Sequence, residues 1–111
     1  MLRDMSEATY YVLAVLLGER LHGYGIIKKV ASLSGGSVRL TTGTLYGALD
    51  RLAGQGLVEA DGEEEVDGRL RRYYRITDAG AEAVRSEAER MRRAARAVGR
   101  RGRTALQGGA R

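Results

Sequence analysis

The stretch that most constrains this chain is Leu40 to Gly56, LTTGTLYGALDRLAGQG, followed after an acidic run by Arg71 to Thr77, RRYYRIT. Leu45, Leu49 and Leu52 recur at helical spacing with Ala48 beside them, so one face of a short helix is apolar. Thr41 or Thr42 caps that helix and Gly56 ends it. The opposite face carries Gly43, Gly47 and Asp50, flanked by Thr44 and Arg51 on one side and Tyr46 on the other. Leu57 to Asp61 and Arg71 to Thr77 then read as the strands of a hairpin whose loop is Gly62 to Gly68. A short capped helix running directly into a two-stranded hairpin is the pattern of a winged helix-turn-helix.

The flanking segments complete it. Ser6 caps a first helix, Glu7 suits its positive end, and Gly18 stops it near Leu17. Val12 to Leu17 is apolar on every side, which predicts burial by its own domain and by a partner chain. His22-Gly23-Tyr24-Gly25 opens a second helix that buries Ile26, Val30 and Leu33 and turns Lys28 outward; Gly35-Gly36 end it, and Val38 to Leu40 predict one short strand. After Thr77, a cap, and Asp78, the residues Ala81, Val84, Ala88, Met91, Ala95 and Val98 alternate spacings of three and four, a heptad seam. So alanine-rich a seam buries little alone. A dimer is expected to pack more closely than a coiled coil, with the partner's first helix filling the gap, which places Val12, Val84, Ala88, Met91, Ala95 and Val98 at an interface. Glu82 with Arg85 and Glu89 with Arg93 offer exposed pairs. The expected fold is mainly α with a small β-hairpin wing: a winged helix-turn-helix over residues 1–76, one dimerisation helix over 77–98, and a disordered basic tail over 99–111 that carries Arg100, Arg101, Arg103 and Arg111 and is read as solubilising, with salt-dependent grazing of DNA phosphates as the alternative.

Composition narrows the function classes. At 111 residues the chain is one domain, and it has no cysteine and a single histidine, His22. A thiolate metal site, a histidine-rich zinc site and the usual catalytic dyads and triads cannot be assembled from that inventory, and no glycine-rich phosphate loop with its lysine occurs. No enzyme, cofactor or metal site is expected, and His22 reads as a capping or packing residue. Tyr10 to Leu17 is too short for the roughly 20 apolar residues of a membrane span, so a cytoplasmic protein is expected. The formal charge of +5 conceals an asymmetry. Residues 1–68 hold six basic against ten acidic side chains, a net of −4, whereas residues 69–111 hold thirteen against four, a net of +9. Phosphate-binding potential therefore concentrates on the second hairpin strand, the last helix and the tail.

Three segments, HGYGIIKKV, SGGSVRLTTGTLYGALDRLAGQGLV and GRLRRYYRITDAG, in that order and spacing, closely resemble the PadR family of bacterial transcriptional regulators. The resemblance covers Tyr10 to about Val98 and looks like the shorter subgroup with one C-terminal helix. It implies a homodimer that binds double-stranded DNA at an inverted-repeat operator, usually as a repressor, and is often released by a small ligand. On that resemblance Tyr24, Lys28, Thr42, Thr44, Tyr46 and Arg51 fall in the segments that meet the groove, and Arg69, Arg71 and Arg72 fall on the wing. A small apolar or aromatic effector would sit between the first and last helices at the dimer axis, near Tyr10, Met91 and Ala95. The chain departs from the family at Leu70, where a wing proline is usual, and in the acidic loop Glu63, Glu64, Glu65 and Asp67, which would repel phosphates. The wing base is thus the expected contact. Tyr73 and Tyr74 read as packing residues, and Arg75 as either a DNA contact or the partner of a nearby acid. The competing reading is a winged-helix protein-interaction module without specific DNA binding, its acidic portion docking a basic partner. Steep salt dependence and discrimination between duplexes separate the two.

Overall fold

The computed structural model describes residues 5–109, and of 105–109 the backbone alone. Four helices and three short strands follow in the order α1 (Glu7–Val15), β1 (Leu21–His22), α2 (Gly23–Leu33), α3 (Thr42–Gly54), β2 (Val58–Val66), β3 (Arg69–Ile76) and α4 (Asp78–Gly109). Each of the first three helices starts where a side chain can accept an orphan N–H. Ser6 Oγ accepts from Thr9, His22 Nδ1 from Gly25, and Thr41 Oγ1 from Thr44. Thr77 does the same for α4 by accepting from the Gly80 N–H at 3.0 Å. The apolar stripes converge on one core in which Val12, Leu13, Ile26, Val30, Leu45 and Leu49 are at most 1% exposed, but Leu33, expected in the α2 stripe, is 57% exposed at the end of that helix.

The sheet is antiparallel in the order β1-β3-β2. Its third strand is Leu21–His22, paired with Tyr74 and Tyr73, and not the expected Val38 to Leu40. The latter segment is no strand: Val38 N–H bonds to Ser34 Oγ at 3.0 Å, and Val38 and Leu40 plug the core as single side chains. The hairpin is also longer than expected. β2 runs through the acidic stretch to Val66, and the connection shrinks to Asp67-Gly68, whose φ angles of 52° and 78° suit a tight hairpin turn of primed type. A bulge interrupts the register between Ala60 and Glu63. Beyond it Glu63 faces Arg72 and Glu64 faces Arg71, opposite charges that favour pairing of two strands polar on both sides.

α4 continues to Gly109 where an end at Val98 and a disordered tail were expected. Arg100, Arg101 and Arg103 are good helix formers and no proline intervenes, so propagation from an already formed helix carries through Gly99 and Gly102. Arg111 lies outside the described residues. Val12 and Val84, expected at a chain–chain interface, are instead 0% and 2% exposed inside the core of one chain. Met91, Ala95 and Val98 are exposed, and Ala88 is intermediate. The apolar seam thus divides into a proximal half that the chain itself covers and a distal half that it leaves open. No helix among the described residues is long and apolar enough to cross a membrane.

Candidate nucleic-acid interface

The crossing of α2 and α3 is set by a glycine. A Cβ at Gly23 would stand 2.4 Å from Tyr46 Oη and 3.0 Å from its Cζ, so Gly23 admits the Tyr46 ring against the start of α2. On its other side that ring lies 6.5 Å from Tyr74 of the wing. Tyr46, 40% exposed, is therefore a wedge holding α2, α3 and β3 together, with one edge left toward solvent.

The open face of α3 carries Thr42, Gly43, Thr44, Gly47 and Asp50. Nothing lies within 4 Å of a Cβ built on Gly43 or Gly47, and neither has a positive φ. The fold needs no glycine at either position, although a helix-interior glycine costs about 0.5–1 kcal/mol relative to alanine. What the two glycines achieve is a flat outer surface, which lets another body approach the helix axis. Thr44 sits on the rim: its hydroxyl accepts from Thr41 Oγ1 at 2.9 Å, which leaves the Thr44 hydroxyl proton to donate outward. Arg51 is not brought to this rim. Its Nη2 donates to Thr9 Oγ1 at 3.3 Å and ties the far end of α3 to α1.

Beside α3 stands a cationic cluster built from α2 and β3. The Lys28 Nζ is 5.5 Å and the Arg71 Cζ 5.8 Å from the centroid of the Tyr24 ring. Two like charges directed at one ring repel each other, and an anion between them would remove that cost. Arg71 Nε is buried and has no hydrogen-bond partner. That nitrogen lacks an acceptor among the described residues, and a phosphate would be met by the guanidinium's other nitrogens and by Lys28 Nζ.

The wing charges are sorted differently from the sequence order. Arg72 pairs with Glu63 at 3.8 Å, Arg75 pairs with Glu59, and Glu64 is held by Arg20, which also donates to the Asp61 carbonyl at 2.9 Å. Arg20 lies 4.2 Å above the Tyr73 ring, and Tyr73 meets His22 edge-on at 5.3 Å. Arg72 therefore has an acid partner, whereas Arg69 and Arg71 form no ion pair among the described residues. Burial first, and then the nearby Arg71 guanidinium, hold His22 below the ordinary imidazole value, which keeps its Nδ1 an acceptor for the Gly25 N–H at 3.2 Å. Sequence reasoning missed Arg20, 44 residues from its partner Glu64; no local pattern signals such a contact.

A separate cleft of about 430 Å³ opens between the start of α1 and the middle of α4, lined in part by Met5, Tyr10, Tyr11, Glu87, Arg90 and Met91. Tyr10 and Met91 were expected there; Ala95, one turn further along, is not part of the lining. Glu87, 8% exposed, adds a charge the sequence did not announce, and its hydrogen bonds from Arg90 hold its carboxyl below the usual carboxylate range.

Comparison with known proteins adds to this geometry. The family model described as "Transcriptional regulator PadR-like family" matches residues 12–86. The chain is 34% identical over 99 residues to the transcriptional regulator Rv3488 of Mycobacterium tuberculosis, spanning 87% of this chain and 89% of that protein. A PadR family transcription regulator from Clostridium difficile shares the fold with a TM-score of 0.72 at 24% identity, over 86% of this chain and 97% of the other. Bacillus subtilis PadR, solved in complex with operator DNA, superposes with a TM-score of 0.64 at 21% identity over 74% of this chain and 46% of its own length.

Proposed function

The chain belongs to the PadR-like family of transcriptional regulators, and from that premise we propose that it is a homodimeric repressor that binds an inverted-repeat operator in duplex DNA. The observation that carries this reading is the flat, glycine-bearing face of α3 set beside the Tyr24, Lys28 and Arg71 cluster. A helix entering the major groove needs a low profile to reach base edges, and Thr42 and Thr44 supply hydroxyls on that profile. Lys28 and Arg71 grip the backbone on one flank, and Arg69 extends that grip along the wing. Thr42, Thr44 and Asp50 read bases. Tyr46 and Arg51 serve instead to hold α3 in place, through Gly23 and Thr9 respectively. The bound structure of Bacillus subtilis PadR supports a DNA partner by analogy of fold.

Dimerisation uses the open distal seam of α4, Met91, Ala95 and Val98, together with Ala88. The cleft beside it, walled by Tyr10, Tyr11 and Met91 with the Glu87–Arg90 pair at its edge, takes a small apolar or aromatic effector with a polar end. Occupation of that cleft shifts α4 against α1 and so changes the separation of the two recognition helices.

The test is binding of purified protein to fluorescent duplexes tiling the chromosomal region upstream of its own gene, with excess unrelated DNA and across a salt series. Saturable binding to one tile at two chains per site, surviving the competitor, is expected. Weak binding to all tiles that vanishes near physiological salt would overturn operator recognition and favour a protein-interaction module.

A further inference from the structure

Glu89 is the last acidic residue of the chain, and α4 runs on past it as a helix to Gly109. A helix turns 100° per residue, which places Arg85, Arg92, Arg96 and Arg103 within about 40° of one another around the axis, with Arg93 and Arg100 adjoining. All six are exposed. From the centre of this face Met91 and Val98 lie about 120–140° around the axis and Ala95 about 80°, so most of the arginine face stays open when the seam is covered by a second copy. Over Arg85 to Arg103 the face is about 27 Å long, which is the axial length of about eight base pairs.

The charge on this face is not neutralised within the chain. Arg92, Arg93 and Arg96 all converge on the single carboxylate of Glu89, the last two at 3.4 and 3.7 Å. One negative charge cannot balance three. The three guanidiniums are 53–62% exposed, and ion pairs of that kind contribute about 0–1 kcal/mol, so a phosphate can take the place of Glu89. Arg100 and Arg103 have no ion pair among the described residues.

The face is also remote from the recognition surface. α4 starts at Asp78, at the open end of the hairpin where Val58 pairs with Ile76, whereas the hairpin turn at Asp67-Gly68 lies at the opposite end. From Met91 to Thr104 every residue but Ala97 is exposed, so this half of the helix projects from the body and helps to stretch the molecule to 67 Å against 27 and 23 Å.

We propose that the arginine face of α4 is a second, sequence-independent docking surface for the phosphate backbone of duplex DNA. Every cation on α4 is arginine, whose planar fork matches phosphate in a bidentate way. A membrane surface fits less well, because an interfacial helix sinks a bulky apolar face between its charges, and from Met91 to Gly109 the sequence of α4 holds Met91, Val98 and Leu106 as its large apolar residues against six arginines. The surface requires no operator recognition; it adds salt-sensitive affinity for any duplex that reaches α4.

The experiment uses the full chain and a duplex of unrelated sequence, and compares wild type with the triple variant Arg92→Gln, Arg96→Gln, Arg103→Gln. Each lost phosphate contact removes about 0.9 from the slope of log affinity against log salt. The triple variant is expected to be shallower by about 2.7 per chain, with an unchanged melting temperature, and the matching triple lysine variant is expected to recover most of the slope. An unchanged slope overturns the proposal. So does a slope that stays constant while binding to phosphatidylglycerol vesicles falls, which assigns the face to a lipid surface. A Lys28→Gln, Arg71→Gln variant, measured on the operator, reports separately on the recognition surface, so failure of one reading is not mistaken for failure of the other.

Discussion

Substituting Gly47 with alanine should make this protein more stable and less able to find its operator. Gly47 lies within α3, five residues after its first residue Thr42, with an ordinary right-handed backbone, and a Cβ built there meets nothing within 4 Å. No packing penalty therefore opposes the gain in helix propensity, which is about 0.5–1 kcal/mol. For a domain of this size that gain raises Tm by about 2–6 °C. The methyl group, however, sits on the surface proposed to face the bases, where it holds α3 away from the groove. Losing one good base contact costs about 1–3 kcal/mol, so operator Kd should rise by roughly tenfold. Binding to a scrambled duplex rests on phosphate contacts and should change little.

The assay pairs thermal melts at fixed protein concentration with fluorescence anisotropy on operator and scrambled duplexes. A raised Tm with unaltered operator affinity would refute the reasoning, because it would leave the flat face of α3 outside the groove. A lowered Tm would refute its structural premise, that position 47 is free space.

The same substitution has the opposite consequence at Gly80, where a Cβ would fall 2.1 Å from the Leu57 carbonyl oxygen and 2.7 Å from Ile76 Cγ1; Gly80→Ala must lift the start of α4 off the hairpin and should cost about 3 kcal/mol by denaturant titration. Val84→Ala should remove about 2 kcal/mol from the core, whereas Val98→Asp, at a position 71% exposed, should leave the fold intact and halve the mass seen by light scattering. The His22 pKa is held below its ordinary value of 6.5, so the stability its neutral form contributes is fully present above that value and is lost as pH falls through the folded-state value. His22→Asn, which caps without titrating in this range, should flatten the melting temperature across about pH 7 to 5.

Helix α3 was legible because its period is long and clean: Leu45, Leu49 and Leu52 fix the buried face, and everything else about it follows by rotation. The two-residue strand at Leu21–His22 was not, since two residues carry no alternation and the pairing to Tyr73 and Tyr74 spans about half the chain. The hairpin was read too short because Glu63, Glu64 and Glu65 look like a loop when taken alone; only the facing arginines make them a strand. Asp67-Gly68 was the local signal for the true turn. For the α4 seam, periodicity located the apolar residues but not what covers them. Val84 turned out to meet its own core, while Val98, two heptads further along, is left open.

Charge shows the same limit with a functional consequence. Read along the sequence, the acidic run of β2 would repel a phosphate backbone, and the three arginines of the wing would attract it equally. In the fold Glu63 faces Arg72 at 3.8 Å and Glu64 is held by Arg20, so the run's repulsion is partly offset where it stands, while the exposed Arg72 keeps a guanidinium that a phosphate can claim. Glu65 and Asp67 remain near the turn without an ion pair among the described residues, with Arg69 beside them, and Arg71, one register pair from Glu65, stands with Lys28 about the Tyr24 ring. The distal half of the hairpin therefore carries both signs, Glu65, Asp67 and Arg69 near the turn and Arg71 beside Lys28 of α2. On the proposed reading, a duplex approaching this surface is drawn to the Lys28–Arg71 cluster, which aligns the backbone with Tyr24 and turns the groove toward the flat face of α3.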